Sequence, residues 1–197
     1  MSTLLFQPWI GNNYGKTELG KLLIVGEGHY FYHNEVDFDN FTKKMISSLG
    51  SAADNEFYKR IGHIFNENDY LDIWDKVAFA NAIQYPFELS RQEISKEQYQ
   101  TVAPALREYL DITKPTKMIV FSKRVWDKGL PEGIDWGEYI ETLHDDLNDR
   151  SGTVWKFYYN GGHCYGIGVH HTSSTRPYFK PAEWKPLIHK FLDKPYV

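Results

Sequence analysis

Residues 22 to 31, LLIVGEGHYF, join a run of apolar residues to a loop that contains two glycines, an acid and an imidazole. A continuous apolar run bounded by glycine is typical of a strand that helices cover on both faces of a parallel sheet. Ligands bind such sheets beyond the carboxyl ends of the strands, where loops and helix N-termini converge. The stretch therefore predicts a buried first strand that delivers Glu27 and His29 to a binding site.

Strands and helices alternate along the rest of the chain. The predicted strands share short apolar runs and span residues 21–28, 77–85, 117–123, 154–160 and 164–171. The predicted helices share helical periodicity or capping signals and span residues 38–49, 53–65, 91–112, 135–148 and 181–192. This alternation predicts one α/β domain over residues 1–197, with three α/β/α layers around a mainly parallel central sheet.

Capping signals mark the ends of two of these helices. Ser90 with Glu93, or Ser95 with Gln98, would form a capping box at the start of the longest one. Pro181 suits the first turn of the last helix, because proline needs no partner for a backbone N–H there.

Composition limits the classes of function. The 22 basic and 26 acidic residues give a formal net charge of −4, so contact with nucleic acid would need a local basic patch. Cys164 is the single cysteine, which predicts no iron–sulfur cluster, no multi-cysteine metal site and a reducing compartment. No stretch reaches the roughly 18 apolar residues of a membrane span. We therefore expect a cytoplasmic protein with no membrane partner, cofactor or bound metal; the sequence makes no prediction of its oligomeric state.

The loop after the first strand carries groups suited to chemistry. Gly26 and Gly28 allow the backbone to approach a ligand closely. Glu27 can act as an acid, a base or a hydrogen-bond acceptor, His29 can change its protonation near neutral pH, and Phe31 offers a stacking face. The same stretch also fits a tight turn with a solvated carboxylate, and its spacing matches neither a dinucleotide-binding nor a P-loop fingerprint.

Two further strand ends carry polar groups. Asn81 ends an apolar run, and its amide can donate and accept at once, as reading the edge of a nucleobase requires. The alternative is that Asn81 satisfies backbone groups at the strand end. His170 and His171 follow the last strand, where neighbouring residues point to opposite faces, so we do not expect both to hold one metal ion.

Four of these segments resemble the motifs of the uracil-DNA glycosylase superfamily. LLIVGEGHYF is similar to its first motif, and FANAIQYP to its apolar run ending in Asn-Ala or Asn-Thr. PALREYLDITKPTKMIVFSKRVW resembles its helix that leads through Lys-Pro into a strand, and VHHTSS resembles its His-Pro-Ser loop. The segments occur in the family's order and cover about residues 20 to 191. The resemblance implies the fold of that family.

The resemblance also implies an activity, the hydrolysis of the N-glycosidic bond of uracil or another damaged base after the nucleotide is flipped out of DNA. Glu27 falls on the polar residue after the first glycine, and Gly28 falls where the best-known branch has its water-activating Asp. Glu27 or His29 would then orient the water. Asn81 would pair with the edge of the base, and a histidine of the last motif would stabilise negative charge on its carbonyl oxygen.

The last motif can be aligned in two ways. His171 with Ser173 reproduces the His-x-Ser spacing of the family, whereas His170 with Thr172 does so only with a hydroxyl substitute. We therefore assign catalytic roles to Glu27, His171 and His29. The residues expected to contact the base are Gly26, Gly28, Tyr30, Phe31, Asn81, Tyr85, His170 and Ser173.

Basic and hydroxyl residues near two strand ends predict contacts with phosphate. These are Lys123, Arg124, Ser174 and Arg176, and the alternative is a scatter of surface charge.

A different function also fits the motifs, namely a non-catalytic or divergent protein that binds a nucleobase, a nucleotide or another small molecule. A hydrolase of another glycosidic or ester bond is a third possibility, although the chain has no Gly-x-Ser-x-Gly nucleophile elbow.

Overall fold

The computed structural model describes residues 2–30, 37–51, 55–87, 93–130, 135–173 and 178–196. Within these ranges seven strands form one sheet, in the order β1-β3-β2-β4-β7-β6-β5. The strands are β1 (Trp9–Ile10), β2 (Leu22–Gly26), β3 (Ala78–Asn81), β4 (Lys117–Phe121), β5 (Gly137–Asp145), β6 (Arg150–Tyr159) and β7 (Gly162–Val169).

The sheet is mixed, so the prediction of a mainly parallel sheet is wrong. Strands β3, β2, β4 and β7 run parallel to one another in the centre of the sheet. Strand β1 is antiparallel to β3 at one edge, and β5 and β6 extend the other edge by antiparallel pairing with each other and with β7.

The error comes from residues 135–148, which were predicted to form a helix and instead contribute β5. Tyr139 and Leu143 lie four residues apart, and an even spacing fits one face of a strand as well as one face of a helix. Pairing with β6 decides between the two, because Tyr139 lies opposite Trp155 and Leu143 opposite Gly152 in the hairpin. Leu147, the third residue of the supposed helical face, is exposed in the turn region.

The described helices are α1 (Phe38–Ser47), α2 (Glu56–Phe65), α3 (Lys96–Gln100), α4 (Val102–Thr113) and α5 (Pro181–Asp193). The predicted helix at 91–112 is therefore two helices, which meet at Thr101. The capping box of Ser95 and Gln98 is confirmed at the start of α3, and Pro181 occupies the first turn of α5. Ser90 lies outside the described residues. None of the described helices is long and apolar enough to span a bilayer.

The core lies on both faces of the sheet. Alternate residues of β2 point to opposite sides, with Ile24 packed among residues of α1, α2 and α5, and Val25 packed among residues of α4. This two-sided burial explains why β2 is apolar throughout rather than alternating.

The loops that follow the adjacent strands β2 and β4 lead to opposite faces of the sheet. The loop after β2 leads to the helices of one face, whereas the loop after β4 leads to a short π-helical turn, Val125–Gly129, packed on the other face. A crevice at such a divergence is where open α/β sheets bind ligands. Glu27 and Ser122, the residues that follow β2 and β4, lie there.

Candidate functional site

Glu27 is held by an ion pair at the carboxyl ends of β2 and β4. Its side chain is only 3% exposed. Oε2 accepts a hydrogen bond from Ser122 Oγ at 2.7 Å and one from Arg124 Nε at 2.5 Å, while Oε1 accepts one from Arg124 Nη2. Ser122 Oγ in turn accepts the N–H of Val125 at 3.2 Å. The start of the turn after β4 therefore fixes both partners of the carboxylate.

These contacts determine the charge of Glu27. Burial favours the neutral acid and acts to raise its pKa, but the hydrogen bond from Arg124, the charges of His171 and Arg124 and the hydrogen bond from Ser122 outweigh burial, so its pKa lies below the ordinary value. Glu27 is thus a carboxylate at neutral pH. Such a group is suited to stabilising positive charge and to holding a water molecule, and it is a poor proton donor.

His171 is placed as a neutral hydrogen-bond donor. The N–H of Ser173 donates to its Nδ1 at 3.1 Å, so the proton of the neutral ring lies on Nε2. Burial lowers the pKa of His171, and the charge of Glu27 acts in the opposite direction. The ring packs against Phe57, with 5.0 Å between the ring centroids. Glu27 and His171 are close enough to change each other's pKa, which brings two of the predicted catalytic residues into one site.

His29 lies in a buried network with Asn81. Asn81 Nδ2 lies 3.0 Å from His29 Nδ1, and His29 Nε2 lies 3.1 Å from Thr42 Oγ1. Its ring also makes edge contacts with Phe6 and Phe41, each with 4.8 Å between centroids. Burial lowers the pKa of His29 to about 3, so the imidazole is uncharged at neutral pH. The His29 ring therefore contacts the Asn81 amide, which was predicted to pair with the edge of the base.

Gly26 makes room for that amide. A Cβ at Gly26 would lie 2.2 Å from Asn81 Oδ1 and 3.1 Å from Phe57 Cζ. Phe57 also contacts the ring of His171. Asn81 and His171 therefore both lie near the Phe57 ring, on the face of the sheet that carries α2.

Gly28 is required by packing. A Cβ there would lie 2.3 Å from Cε2 of Phe87, a ring that is almost fully buried. The position where the resembling family has a carboxylate therefore has no room for one while Phe87 keeps its place.

We expect the substitution Gly28→Asp to destabilise the fold by about 1–3 kcal/mol, because the added side chain must displace Phe87. Urea unfolding measures this change, with Gly28→Ala as the control that adds the Cβ without the charge. We expect Gly28→Ala to account for most of the loss. Wild-type stability in Gly28→Asp would contradict the steric argument.

The remaining base-contact candidates have different surroundings. Tyr30 is half-buried against Phe87, with 5.6 Å between the ring centroids. Tyr85 is 54% exposed, outside the core. His170 packs against Trp184 of α5 with 5.1 Å between centroids, and Ser173 is exposed. His171, and not His170, is thus close enough to Glu27 for their charges to act on each other's pKa.

The phosphate-contact candidates are paired with acids where the structure describes them. Lys123 is exposed and lies 3.0 Å from Asp127, and Arg124 holds Glu27. Phe31, Ser174 and Arg176 lie outside the described residues.

Three further residues at the site were given no role from the sequence, although Ser122 belongs to one of the strand ends expected at the site. Ser122 donates a hydrogen bond to Glu27, and Phe57 contacts the ring of His171. Tyr99 of α3 lies close enough to Glu27 and Arg124 for their charges to act on its pKa, which burial raises. Ser122 carried a signal, because it directly follows an apolar strand. Phe57 and Tyr99 carried none, since each belongs to a helix that reaches the site only by packing.

A cavity of about 410 Å³ lies at the opposite edge of the sheet, where β2 and β4 begin. Its lining includes Gly20, Thr116 and the ion pair of Lys76 with Asp72, 2.7 Å apart. It is separate from Glu27 and His171.

Within the described ranges no three His, Cys, Asp or Glu side chains come together as metal ligands.

No protein-family model matches the chain, and no curated protein sequence is significantly similar to it.

Proposed function

We propose that this protein is a DNA glycosylase of the uracil-DNA glycosylase type, which hydrolyses the N-glycosidic bond of uracil or another damaged base after base flipping. One observation carries the proposal. Glu27 and His171 lie close enough at the carboxyl edge of the sheet for their charges to act on each other's pKa, and Asn81 and the ring of His171 both lie near the ring of Phe57. We further propose that the parallel strands β3, β2, β4 and β7 form the sheet of a uracil-DNA glycosylase fold.

The groups match the charges that develop in this reaction. Cleavage of a glycosidic bond passes through an oxocarbenium-like sugar, and negative charge collects on the departing base. The carboxylate of Glu27 would stabilise the positive sugar. The Nε2–H of His171 would donate to the carbonyl oxygen of the base, and a preorganised donor of this kind is usually a large catalytic contribution.

Glu27 also keeps an acceptor position for the attacking water. Within the described residues Oε2 accepts two hydrogen bonds and Oε1 accepts one. Each carboxylate oxygen can accept two, so Oε1 can accept one more, from water. In this proposal Glu27 orients the water without a second carboxylate at Gly28.

A second function is favoured by the state of Glu27. Its clamp by Arg124 and its low pKa make it a weak base, and Gly28 has no room for the carboxylate of the best-known branch. A non-catalytic protein that binds a nucleobase, a nucleotide or another small molecule in the same site would need only Asn81, His171 and the aromatic rings.

An oligonucleotide assay distinguishes the two functions. Single- and double-stranded DNA containing uracil should acquire alkali-labile abasic sites in the presence of the protein. We expect Glu27→Gln to slow their formation by about 10²–10⁴-fold, the range for a positioned acid or base. Glu67→Gln is the matched control, since Glu67 is a surface residue paired with Lys185.

Each result has a defined meaning. Absence of cleavage with uracil, xanthine and alkylated bases, together with binding of the free bases in a thermal-shift screen, would favour the binding protein. Absence of both cleavage and binding would contradict the proposed function altogether.

A further inference from the structure

We infer that His29 and Thr42 are positioning residues, which fix the orientation of the Asn81 amide and so select a ligand edge that offers an N–H to Asn81 Oδ1. This inference rests on the proposed function, because it assigns the base selectivity of the same site. His29 and Thr42 act only through Asn81 and need not touch the ligand.

The three side chains form a hydrogen-bonded row. Asn81 Nδ2 donates to His29 Nδ1, which must therefore be the unprotonated nitrogen of a neutral ring. The proton then lies on Nε2 and is donated to Thr42 Oγ1. Thr42 is fully buried on α1, and His29 is 3% exposed. Because water does not compete at either contact, the row holds one tautomer of the imidazole and one orientation of the amide.

The other end of the amide faces the site. Asn81 Oδ1 lies in the space left by the missing side chain of Gly26, beside Phe57. It makes no hydrogen bond with any other described residue, although Asn81 is only 3% exposed. Among the described residues it is not one of the fully enclosed polar atoms without a partner, so it is open to a donor from water or from a ligand. The second hydrogen of Nδ2 remains available beside it, so the amide edge presents one acceptor and one donor.

This edge is complementary to a ring N–H next to a carbonyl oxygen, as in uracil. Cytosine has the opposite pattern, with an acceptor nitrogen next to an amino group. Rotating the Asn81 amide by half a turn would exchange the preference. The orientation that His29 imposes therefore favours uracil over cytosine.

Thr42→Val tests the inference, because valine keeps the shape of threonine and removes the acceptor for His29 Nε2–H. The imidazole should then change tautomer, the Asn81 amide should rotate, and the ratio of uracil to cytosine affinity should fall by at least about tenfold. Thr113→Val is the matched control, since Thr113 is also a buried helical threonine, and the described bond of its hydroxyl is donated to the carbonyl oxygen of Tyr109. His29→Gln, which keeps one donor and one acceptor, should retain more of the preference than His29→Phe.

Two measurements give the outcome. Long-range ¹H–¹⁵N spectra of the imidazole read the tautomer of His29 without any ligand, and calorimetry gives the dissociation constants of free uracil and free cytosine. Nε2–H in the wild type, with a change of tautomer and of preference in Thr42→Val, supports the inference. Nδ1–H in the wild type, or an unchanged preference in Thr42→Val, overturns it and leaves the proposed function standing. Binding of neither base overturns the base selectivity even if the tautomer is Nε2–H, whereas the proposed function falls only if cleavage of the oligonucleotides is absent as well.

Discussion

Replacement of His171 by alanine is expected to slow base release by about 10²–10³-fold, the usual cost of removing one preorganised donor to a developing oxyanion. The expected loss follows from the bond between Ser173 N–H and Nδ1, which leaves the proton of the neutral ring on Nε2. Single-turnover kinetics on a uracil-containing oligonucleotide measure the change in the chemical step. His171→Gln, which retains an N–H donor, should recover part of the rate.

His170→Ala is the matched comparison for this prediction. His170 is the neighbouring residue in the sequence, but its ring packs against Trp184 of α5. We expect a much smaller loss of rate from this change. An equal loss from the two alanine substitutions would contradict the assignment of His171 as the donor.

The pH dependence follows from the same imidazole. Burial lowers the pKa of His171 below the ordinary 6.5, so the neutral ring persists to a lower pH than in a free histidine. If the neutral ring is the active form, the single-turnover rate should be level at neutral pH and should fall only in acid. A loss of rate centred above pH 6.5 would contradict the neutral donor.

Replacement of Arg124 by leucine is expected to destabilise the fold by about 3 kcal/mol, near the lower end for breaking a buried ion pair. We expect a loss of stability near the lower end of that range because the Arg124 side chain is 39% exposed, whereas Glu27 is buried. The variant leaves the Glu27 carboxylate with Ser122 as its remaining described donor. Urea unfolding at neutral pH measures the loss.

Acid should reduce the difference between wild type and Arg124→Leu. In the wild type the pKa of Glu27 is below its ordinary 4.5, so its contribution to stability is complete above that pH and is lost as the pH falls through the folded-state pKa. In the variant burial dominates and raises the pKa, so Glu27 is protonated and its penalty relieved at a higher pH. The two stability curves should therefore converge below about pH 4.5.

Two further variants control this prediction. Lys123→Leu removes the neighbouring cation, which is exposed and paired with Asp127, and should cost less than about 1 kcal/mol. The double substitution of Glu27 and Arg124 by leucine should recover much of the loss, because no buried charge then remains unpaired. A loss in the double variant equal to the sum of the single losses would show that the pair is not coupled.

Local patterns were sufficient for most of the secondary structure. The apolar runs at β2, β3 and β4 and the periodicity of α1 and α2 lie within single elements, so the sequence carries their signals directly. The capping box of Ser95 and Gln98 is likewise local. The placement of polar residues after apolar strands also located Glu27 and Asn81, because the ends of parallel strands meet at one edge of the sheet.

The helix predicted at residues 135–148 shows where local patterns fail. Its apolar spacing fits both a helix and a strand, and only pairing with β6 selects the strand. The prediction of a mainly parallel sheet failed with it, because the hairpin adds antiparallel pairs to the central strands.

The sequence by itself determined the central strands, most of the helices and which strand ends carry polar side chains, because these depend on residues near one another in the chain. Only the tertiary structure decided how those side chains are paired. Arg124 clamps Glu27 from 97 residues away, and Asn81 bonds to His29 across 52 residues. Such contacts follow from how strands and helices pack, and packing sets the charge of Glu27 and the orientation of the Asn81 amide.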